Sequence, residues 1–474
     1  MSQPHVVVIG GGIAGLAAAA FLSGADGGGA RASVTLLESS GRLGGKLRTG
    51  EVGGVRVDLG AESVLARRPE AVALARAVGL ADALQPPNPV KAAIWTRAAL
   101  RPLPGGQVMG VPGDLDALAA AGVLSPEGLA RAHREGEAPA VGEDVAIGAY
   151  VAARLGREVV DRLVEPLLGG VYAGHADEIS LRAAVPQLLA LARSGAPLVE
   201  GVHELATRPQ NTAGPVFQGL DGGIGTLPEA VAAACREAGA DLRTGSPVDE
   251  LRRTPEGWRV VVGGESLHAD AVVLAVPAPE AARLLRTDAP GAAADLAAVE
   301  YAGMALVTMA FRRADLPEPP AGSGFLVPPV DGRSIKASTF SSNKWGWLER
   351  AAPDTFVLRT SLGRHREEQA LELPDEELVA RSLADLAEAV GLDARPYDTT
   401  VTRWRAGLPQ YPVGHLDRVA RIREHTGRLG ALALCGAAYD GVGIPACIAS
   451  ARRAVDELST PGAAAAPTEG TMSA

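Results

Sequence analysis

Four β-branched residues, Val6-Val7-Val8-Ile9, run straight into Gly10-Gly11-Gly12-Ile13-Ala14-Gly15, and a second apolar run, Val34-Thr35-Leu36-Leu37, ends on Glu38. The order reads as a strand, a glycine turn, a helix from about Ala14 to Leu22 and a second strand closed by a carboxylate. Few folds accept it. A strand apolar at every position is buried on both faces, which asks for a parallel sheet covered by helices. Gly10 permits the tight turn, Gly12 lets a phosphate come close to the backbone, and Gly15 lets the helix pack on the strand. The N–H groups of Ile13, Ala14 and Gly15, with the positive end of the helix dipole, face the same point. Glu38 stands where it can accept both hydroxyls of a ribose, whereas an arginine there would suit a 2′-phosphate. The spacing predicts a site for the ADP half of a dinucleotide.

Val6 to Leu22 carry no charge, but Met1 to His5 supply no Lys or Arg, so the basic region of a secretory signal is missing. The stretch is also too short to span a bilayer. No export signal and no transmembrane segment is expected. Cys235, Cys435 and Cys447 show no CxxC spacing, and the eight histidines form no ligand pair at helical spacing. That pattern suits a reducing, cytoplasmic setting with no disulfide framework and no metal. With 474 residues at 47% hydrophobic content, the chain can build two or three structural units of roughly 150 residues each. A formal net charge of −10 counts against nucleic acid and against adhesion to an anionic membrane.

Ser23 to Ser33 is a glycine-rich loop without an assigned role. Gly41-Arg42-Leu43-Gly44-Gly45-Lys46 follows the second strand, and adjacent glycines between cations suit passage beside a diphosphate. Ser39, Arg42, Gly44, Gly45 and Lys46 therefore join the expected cofactor contacts. Apolar residues recur at three and four from Glu70 to Leu84 and from Ala117 to Leu191, predicting helices. Short strands are expected at 241–243, 248–252, 258–262, 266–269 and 271–277, and more from Tyr301 to Leu362. An amphipathic helix covers 375–390, and a last one covers 444–458. The expected organisation is 1–84, 211–286 and 421–458 as three parts of a cofactor domain, 85–210 as a largely helical insertion, and 287–420 as a mixed-sheet substrate domain. The Pro/Gly/Ala-rich stretch 459–474 lacks a core and is expected to be disordered.

A second landmark lies late in the chain, where Leu432-Ala433-Leu434-Cys435 meets Gly436-Ala437-Ala438-Tyr439-Asp440-Gly441-Val442-Gly443-Ile444-Pro445. A flavin needs backbone N–H groups and a helix N-terminus beside its pyrimidine edge, because reduction leaves negative charge there. A glycine turn entering a helix supplies both.

With these motifs in order, the chain resembles the protoporphyrinogen oxidase family of flavoproteins, in particular the Gram-positive-type enzymes that oxidise coproporphyrinogen III. The resemblance is carried by GGGIAGL from Gly10, Glu38 with GRLGGK, Asp58-Leu59-Gly60-Ala61-Glu62-Ser63, LPGGQVMGVP from Leu103, PLLGGVYAGHADEIS from Pro166, Phe217 to Leu227, WRAGLPQYPVGH from Trp404 and LCGAAYDGVGIPACIAS from Leu434. His175 and Ala451 depart from the usual pattern, where a small acid or amide and a glycine are expected. The fold implied is α/β, an FAD-binding Rossmann-type (GR2-type flavoprotein) domain with a mixed-sheet substrate domain and a helical insertion. FAD is the implied cofactor, held by the first cradle together with Gly60, Ala61, Glu62, Ser63, Val248, Trp404, Gly436, Tyr439, Val442, Gly443 and Ile444.

The activity implied is oxidation of a porphyrinogen in heme biosynthesis. Hydride leaves a methylene bridge for the flavin, a pyrrole N–H loses its proton, and about three such rounds give the aromatic porphyrin, with O2 as final acceptor and hydrogen peroxide as by-product. The chain shows no Ser-His-Asp, Cys-His or paired-carboxylate constellation, so no catalytic acid or base is assigned. Arg67, Arg68, Lys91 and Arg182 are candidate partners for substrate propionates, each equally readable as a solvated cation. Tyr172, Tyr411, Trp345 and Trp347 could line the macrocycle or serve as ordinary core. Protoporphyrinogen IX is the alternative substrate. An amine oxidase or carotenoid desaturase of the same superfamily and a non-catalytic porphyrin carrier are further alternatives. A transient contact with a ferrochelatase is the one macromolecular partner suggested.

Overall fold

The computed structural model describes residues 3–137, 141–208, 214–316 and 318–459. Its centre is a five-stranded parallel sheet in the order Asp241–Arg243, Ser33–Leu37, His5–Ile9, Ala271–Leu274, Leu432–Leu434. Successive side chains alternate between two cores. Val6, Val8, Val34, Leu36, Val273 and Ala433 enter one, beneath the helices Ile13–Ser23, Thr226–Glu237 and Ile444–Ser459. Val7, Ile9, Leu37, Val272, Leu274 and Leu432 enter the other. That second core lies under an antiparallel three-stranded sheet, Val248–Thr254, Gly257–Val262 and Glu265–Ala269, and under the helices Ala278–Leu285, Pro290–Ala297 and His415–Gly427. Burial on both faces is why four of these strands are mainly apolar, whereas the edge strand Asp241–Arg243 is not.

The first helix is buried along Ala14 to Ser23, and its alanines let neighbouring helices approach closely. Gly15 is fixed by contact: a Cβ there would fall 1.9 Å from the Gly10 carbonyl oxygen.

A seven-stranded mixed sheet forms the second body, in the order Asp398–Pro409, Tyr301–Arg312, Thr355–Leu362, Ile335–Thr339, Gly324–Leu326, Ala92–Thr96, Ala99–Pro102. Only Gly324–Leu326 with Ala92–Thr96 runs parallel there. The helix Asp375–Val390 closes one face, tied by Thr360 to Ser382 at 2.7 Å and by the Ile335 N–H to Asp385 at 2.9 Å. Helices between Leu115 and Thr207 build a separate core around Val151, Leu163, Leu168 and Leu188.

Several boundaries differ from expectation. Ala92–Thr96 and Ala99–Pro102 join the mixed sheet instead of the helical block. Their hairpin turns through Arg97 and Ala98 at φ 51° and 58°, a conformation usually given by Asn-Gly, so no turn residue marked it. The helix expected to reach Leu84 is Glu70–Ala77, ended where Gly79 takes φ 83°; Leu84 lies in the short strand Leu84–Gln85. Pro290–Ala297 packs with the parallel sheet although it lies past residue 286, and the expected 420/421 boundary falls inside the helix His415–Gly427. Ser459 closes the last helix instead of opening the tail. The expected 210/211 boundary and residues 460–474 lie outside the described residues. Among the described residues no helix is long and apolar enough to cross a membrane. Cys235, Cys435 and Cys447 are buried and free.

Candidate active site

The first glycine turn separates two needs. Gly10 has φ 108°, and a Cβ there would meet the Ala275 carbonyl oxygen at 2.6 Å. Gly12 has φ −71°, and a Cβ there would meet nothing within 4 Å among the described residues. The fold therefore does not require glycine at position 12, while a group passing close to the turn would. Among the described residues no side chain caps the helix that starts beyond Gly12, which leaves its first N–H groups available to an anion. The second glycine turn lies on the first. The Gly44 N–H donates to the Gly11 carbonyl at 2.8 Å, and a Cβ on Gly45 would sit 2.9 Å from the Gly12 Cα. Such an open, glycine-walled hollow at an uncapped helix start fits a diphosphate.

Glu38 flanks the hollow. Its Oε2 accepts the Gly11 N–H at 2.7 Å and its Oε1 the Ser40 N–H at 2.8 Å, with the Ser39 hydroxyl 3.5 Å away. Oε2 keeps a second lone pair, and the long Ser39 contact is easily given up, so ribose hydroxyls can still be accepted. Arg42 folds back to donate to the Gly45 carbonyl at 2.6 Å, and burial lowers its pKa. Val248 is buried at the start of its strand, two residues beyond Ser246, whose N–H donates to the Glu38 carbonyl.

Lys46 points inward past the second turn, 5.4 Å from the centre of the Tyr301 ring. Among the described residues no carboxylate lies within ion-pair distance of it. Burial lowers its pKa to about 8, opposed by Cys447. A half-buried ammonium without a carboxylate suits an anionic ligand.

Gly60 lies against Lys46, where a Cβ would come within 2.4 Å of its carbonyl oxygen, and the Trp404 indole N–H donates to the Leu59 carbonyl at 3.0 Å. Ala61 is exposed and Ser63 half-buried. The Glu62 carboxylate is spent internally: it is 6% exposed and meets Lys344 at 2.7 Å, Arg359 at 3.2 Å and the Ser341 hydroxyl at 3.2 Å. Burial alone would raise its pKa, but Arg359 and Lys344 hold it at about 2. Glu62 thus straps the 60–63 segment to the second body. Asp58, also buried, accepts the N–H groups of Ile224 and Gly225 at 2.9 and 3.0 Å, and burial raises its pKa to about 7.

The late turn has φ 124° at Gly436 and 129° at Gly441. Tyr439 turns its side chain into the core beside the parallel sheet, so its backbone alone borders the turn. Val442 packs against the helical block, Gly443 is exposed, and Ile444 opens the last helix. The Tyr411 hydroxyl donates to the Ala437 carbonyl and accepts the Gly441 N–H at 2.9 Å. Its ring stacks on His415, with centroids 4.0 Å apart and planes 15° from parallel. Tyr172 lies 5.7 Å beyond, and burial raises its phenol pKa to about 12.

Burial lowers the His415 pKa to about 4, with the Ala438 backbone opposing and Arg418 adding to the fall. The unfolded chain takes up this proton near pH 6.5 and the folded chain only near 4. Stability is therefore lost as pH falls through that window, by about 3 kcal/mol at its end. His415→Phe should flatten this part of the pH dependence. Urea unfolding of both proteins at several pH values between 4 and 7 checks it; parallel slopes would contradict it.

The substrate candidates are scattered. Arg67 and Lys91 are exposed. Arg68 pairs with Glu70 at 2.8 Å, and Arg182 with Asp417 at 2.9 Å. Trp345 and Trp347 pack with Val52, Val57, Leu59 and Val357, which makes them core. Two buried cations escape a sequence-level search. Lys336 donates to the Gly363 carbonyl at 2.9 Å, its pKa lowered to about 7 by burial and Arg364. Arg364 donates to the Val327 carbonyl at 3.0 Å. A lone cation inside a short strand gives no signal until the strand is seen to be covered.

Comparison with known proteins finds matches along nearly the whole chain. The flavin containing amine oxidoreductase family matches residues 13–459. Coproporphyrinogen III oxidase of Mycobacterium tuberculosis (strain ATCC 25618 / H37Rv) is 40% identical, over 97% of this chain and 98% of that protein. The enzyme of the same name from Bacillus subtilis (strain 168) is 31% identical, over 97% and 98%. A crystal structure from Exiguobacterium sp. 255-15, described as a protoporphyrinogen oxidase, superposes with a TM-score of 0.84 at 33% identity, over 97% of this chain and all of that one.

Proposed function

The chain belongs to the flavin containing amine oxidoreductase family, and we propose that within it the protein is an FAD-dependent oxidase converting coproporphyrinogen III to coproporphyrin III. O2 as acceptor, hydrogen peroxide as product, a place in heme biosynthesis, a cytoplasmic location and a transient contact with a ferrochelatase belong to the same proposal. The observation that carries it is the end-to-end likeness to coproporphyrinogen III oxidases, which spans both glycine turns.

FAD fits the residues present. The Gly10–Gly15 turn, Gly44 and Gly45 would hold the diphosphate, Glu38 the ribose, and Lys46 an anionic part of the cofactor. The Gly436–Ile444 turn would border the flavin ring. When bound, the flavin supplies the hydride acceptor. The chain's own part is to position substrate and exclude water. Tyr172 stays protonated near neutral pH because burial holds its pKa at about 12, so it forms a wall and is no general base. Arg67, Arg68, Arg182 and the buried pair Lys336 and Arg364 are the proposed partners of substrate carboxylates.

Coproporphyrinogen III carries four propionates and protoporphyrinogen IX two, with vinyls in the other places. Sites built for polar groups reject analogues lacking them by up to about 10⁴–10⁵-fold, whereas apolar pockets discriminate weakly. A kcat/KM for coproporphyrinogen III well above that for protoporphyrinogen IX is expected, followed by porphyrin fluorescence. A ratio near one, or the reverse preference, would move the assignment to the divinyl substrate.

A further inference from the structure

Tyr411 follows the strand Asp398–Pro409, and His415 opens the helix His415–Gly427. Neither lies in the late glycine turn, yet both bear on it. The Tyr411 hydroxyl spans the turn, from the Ala437 carbonyl to the Gly441 N–H. Gly441 has φ 129°, outside any regular element, so the phenol supplies the acceptor that a helix or sheet would otherwise provide. Tyr411 itself is 1% exposed, while its partners Ala437 and Gly441 are half-buried. The ring itself is held by the His415 stack on one side and by Tyr172 on another. His415 is fully buried, and among the described residues neither ring nitrogen makes a hydrogen bond of good geometry, although the Ala438 backbone is near enough to act on the ring. Ser450 ties the same turn elsewhere, accepting the Gly436 N–H at 3.2 Å and donating to Asp440 at 2.6 Å.

We propose that Tyr411 is a positioning residue for the flavin, its hydroxyl fixing the Ala437–Gly441 turn so that the backbone presented to the flavin ring keeps one arrangement. This rests on the assignment of the late turn to the flavin. Tyr411→Phe keeps the ring, its volume and the stack, and removes only the bridge. Apoprotein of this variant is expected to bind FAD more weakly by roughly tenfold or more, as loss of the two hydrogen bonds of the bridge implies. The bound flavin should also show a shifted visible absorption and circular dichroism spectrum and an altered midpoint potential.

Tyr150→Phe serves as the control, since that phenol is likewise buried, lies in the helical block and has no hydrogen-bond partner among the described residues. It should leave affinity, spectrum and potential as in the native protein. A Tyr411→Phe protein matching the native in all three would overturn the proposal, and so would one that only melts earlier with an unchanged flavin spectrum. If the native apoprotein itself takes up no FAD, it is the functional assignment that fails.

Discussion

Gly12→Val is expected to fold and to bind no FAD, whereas Gly15→Val is expected not to fold at all. The two glycines lie in one turn but answer to different atoms. A side chain at Gly12 enters space that the protein leaves open, at an ordinary φ of −71°. It would fill the hollow and displace a diphosphate from the helix start. Each charge-assisted hydrogen bond lost there is worth roughly 1.5–3 kcal/mol, so two of them lower affinity by about two to four decades. A side chain at Gly15 would overlap the Gly10 carbonyl at 1.9 Å. The helix cannot retreat, because it is buried along its length, and backbone overlap of that size ranks with the most destabilising substitutions, at about 4 kcal/mol or more. Circular dichroism and flavin content of the purified variants separate the two effects. Stoichiometric FAD in folded Gly12→Val would refute the assignment of the hollow.

Glu62→Ala is expected to cost about 3 kcal/mol of stability. The carboxylate is nearly inaccessible and neutralises two cations from the second body, Lys344 and Arg359. Removing one partner of a buried ion pair costs about 3–5 kcal/mol because the charges left behind are stranded. The lower figure is apt here, since Lys344 and Arg359 keep side-chain exposures of 21% and 14% and water can soften the loss. The folded pKa of about 2 lies below the usual carboxylate value. The stabilisation is therefore present above about pH 4.5 and fades as pH falls toward 2. Urea unfolding at neutral pH should show the full difference, and a loss below about 1 kcal/mol would mean that the strap carries little.

The strand, glycine turn and helix at the start of the chain were legible because their constraints are local. Gly10, Gly12 and Gly15 lie within one turn of Val6–Ile9, and backbone chemistry alone dictates the spacing. The helix over 375–390 was equally plain, its periodicity uninterrupted and its bounds as observed. What escaped was set by partners remote in sequence. Glu62 stood in a motif that suggested cofactor contact, but Lys344 and Arg359, almost 300 residues later, take its oxygens. Tyr411 was expected to line the macrocycle or to serve as core; its hydroxyl acts on a turn 26 and 30 residues further along. The hairpin at Arg97 and Ala98 hid because its left-handed turn uses residues that rarely adopt that conformation.

The central claim is that this chain oxidises coproporphyrinogen III through its own bound FAD. Anaerobic mixing of the purified yellow protein with freshly reduced coproporphyrinogen III tests it most directly, with the flavin absorption followed in time. Rapid bleaching of the visible flavin bands, then their return with release of hydrogen peroxide on admitting air, is the predicted result. A flavin that stays oxidised in the presence of excess coproporphyrinogen III would contradict it.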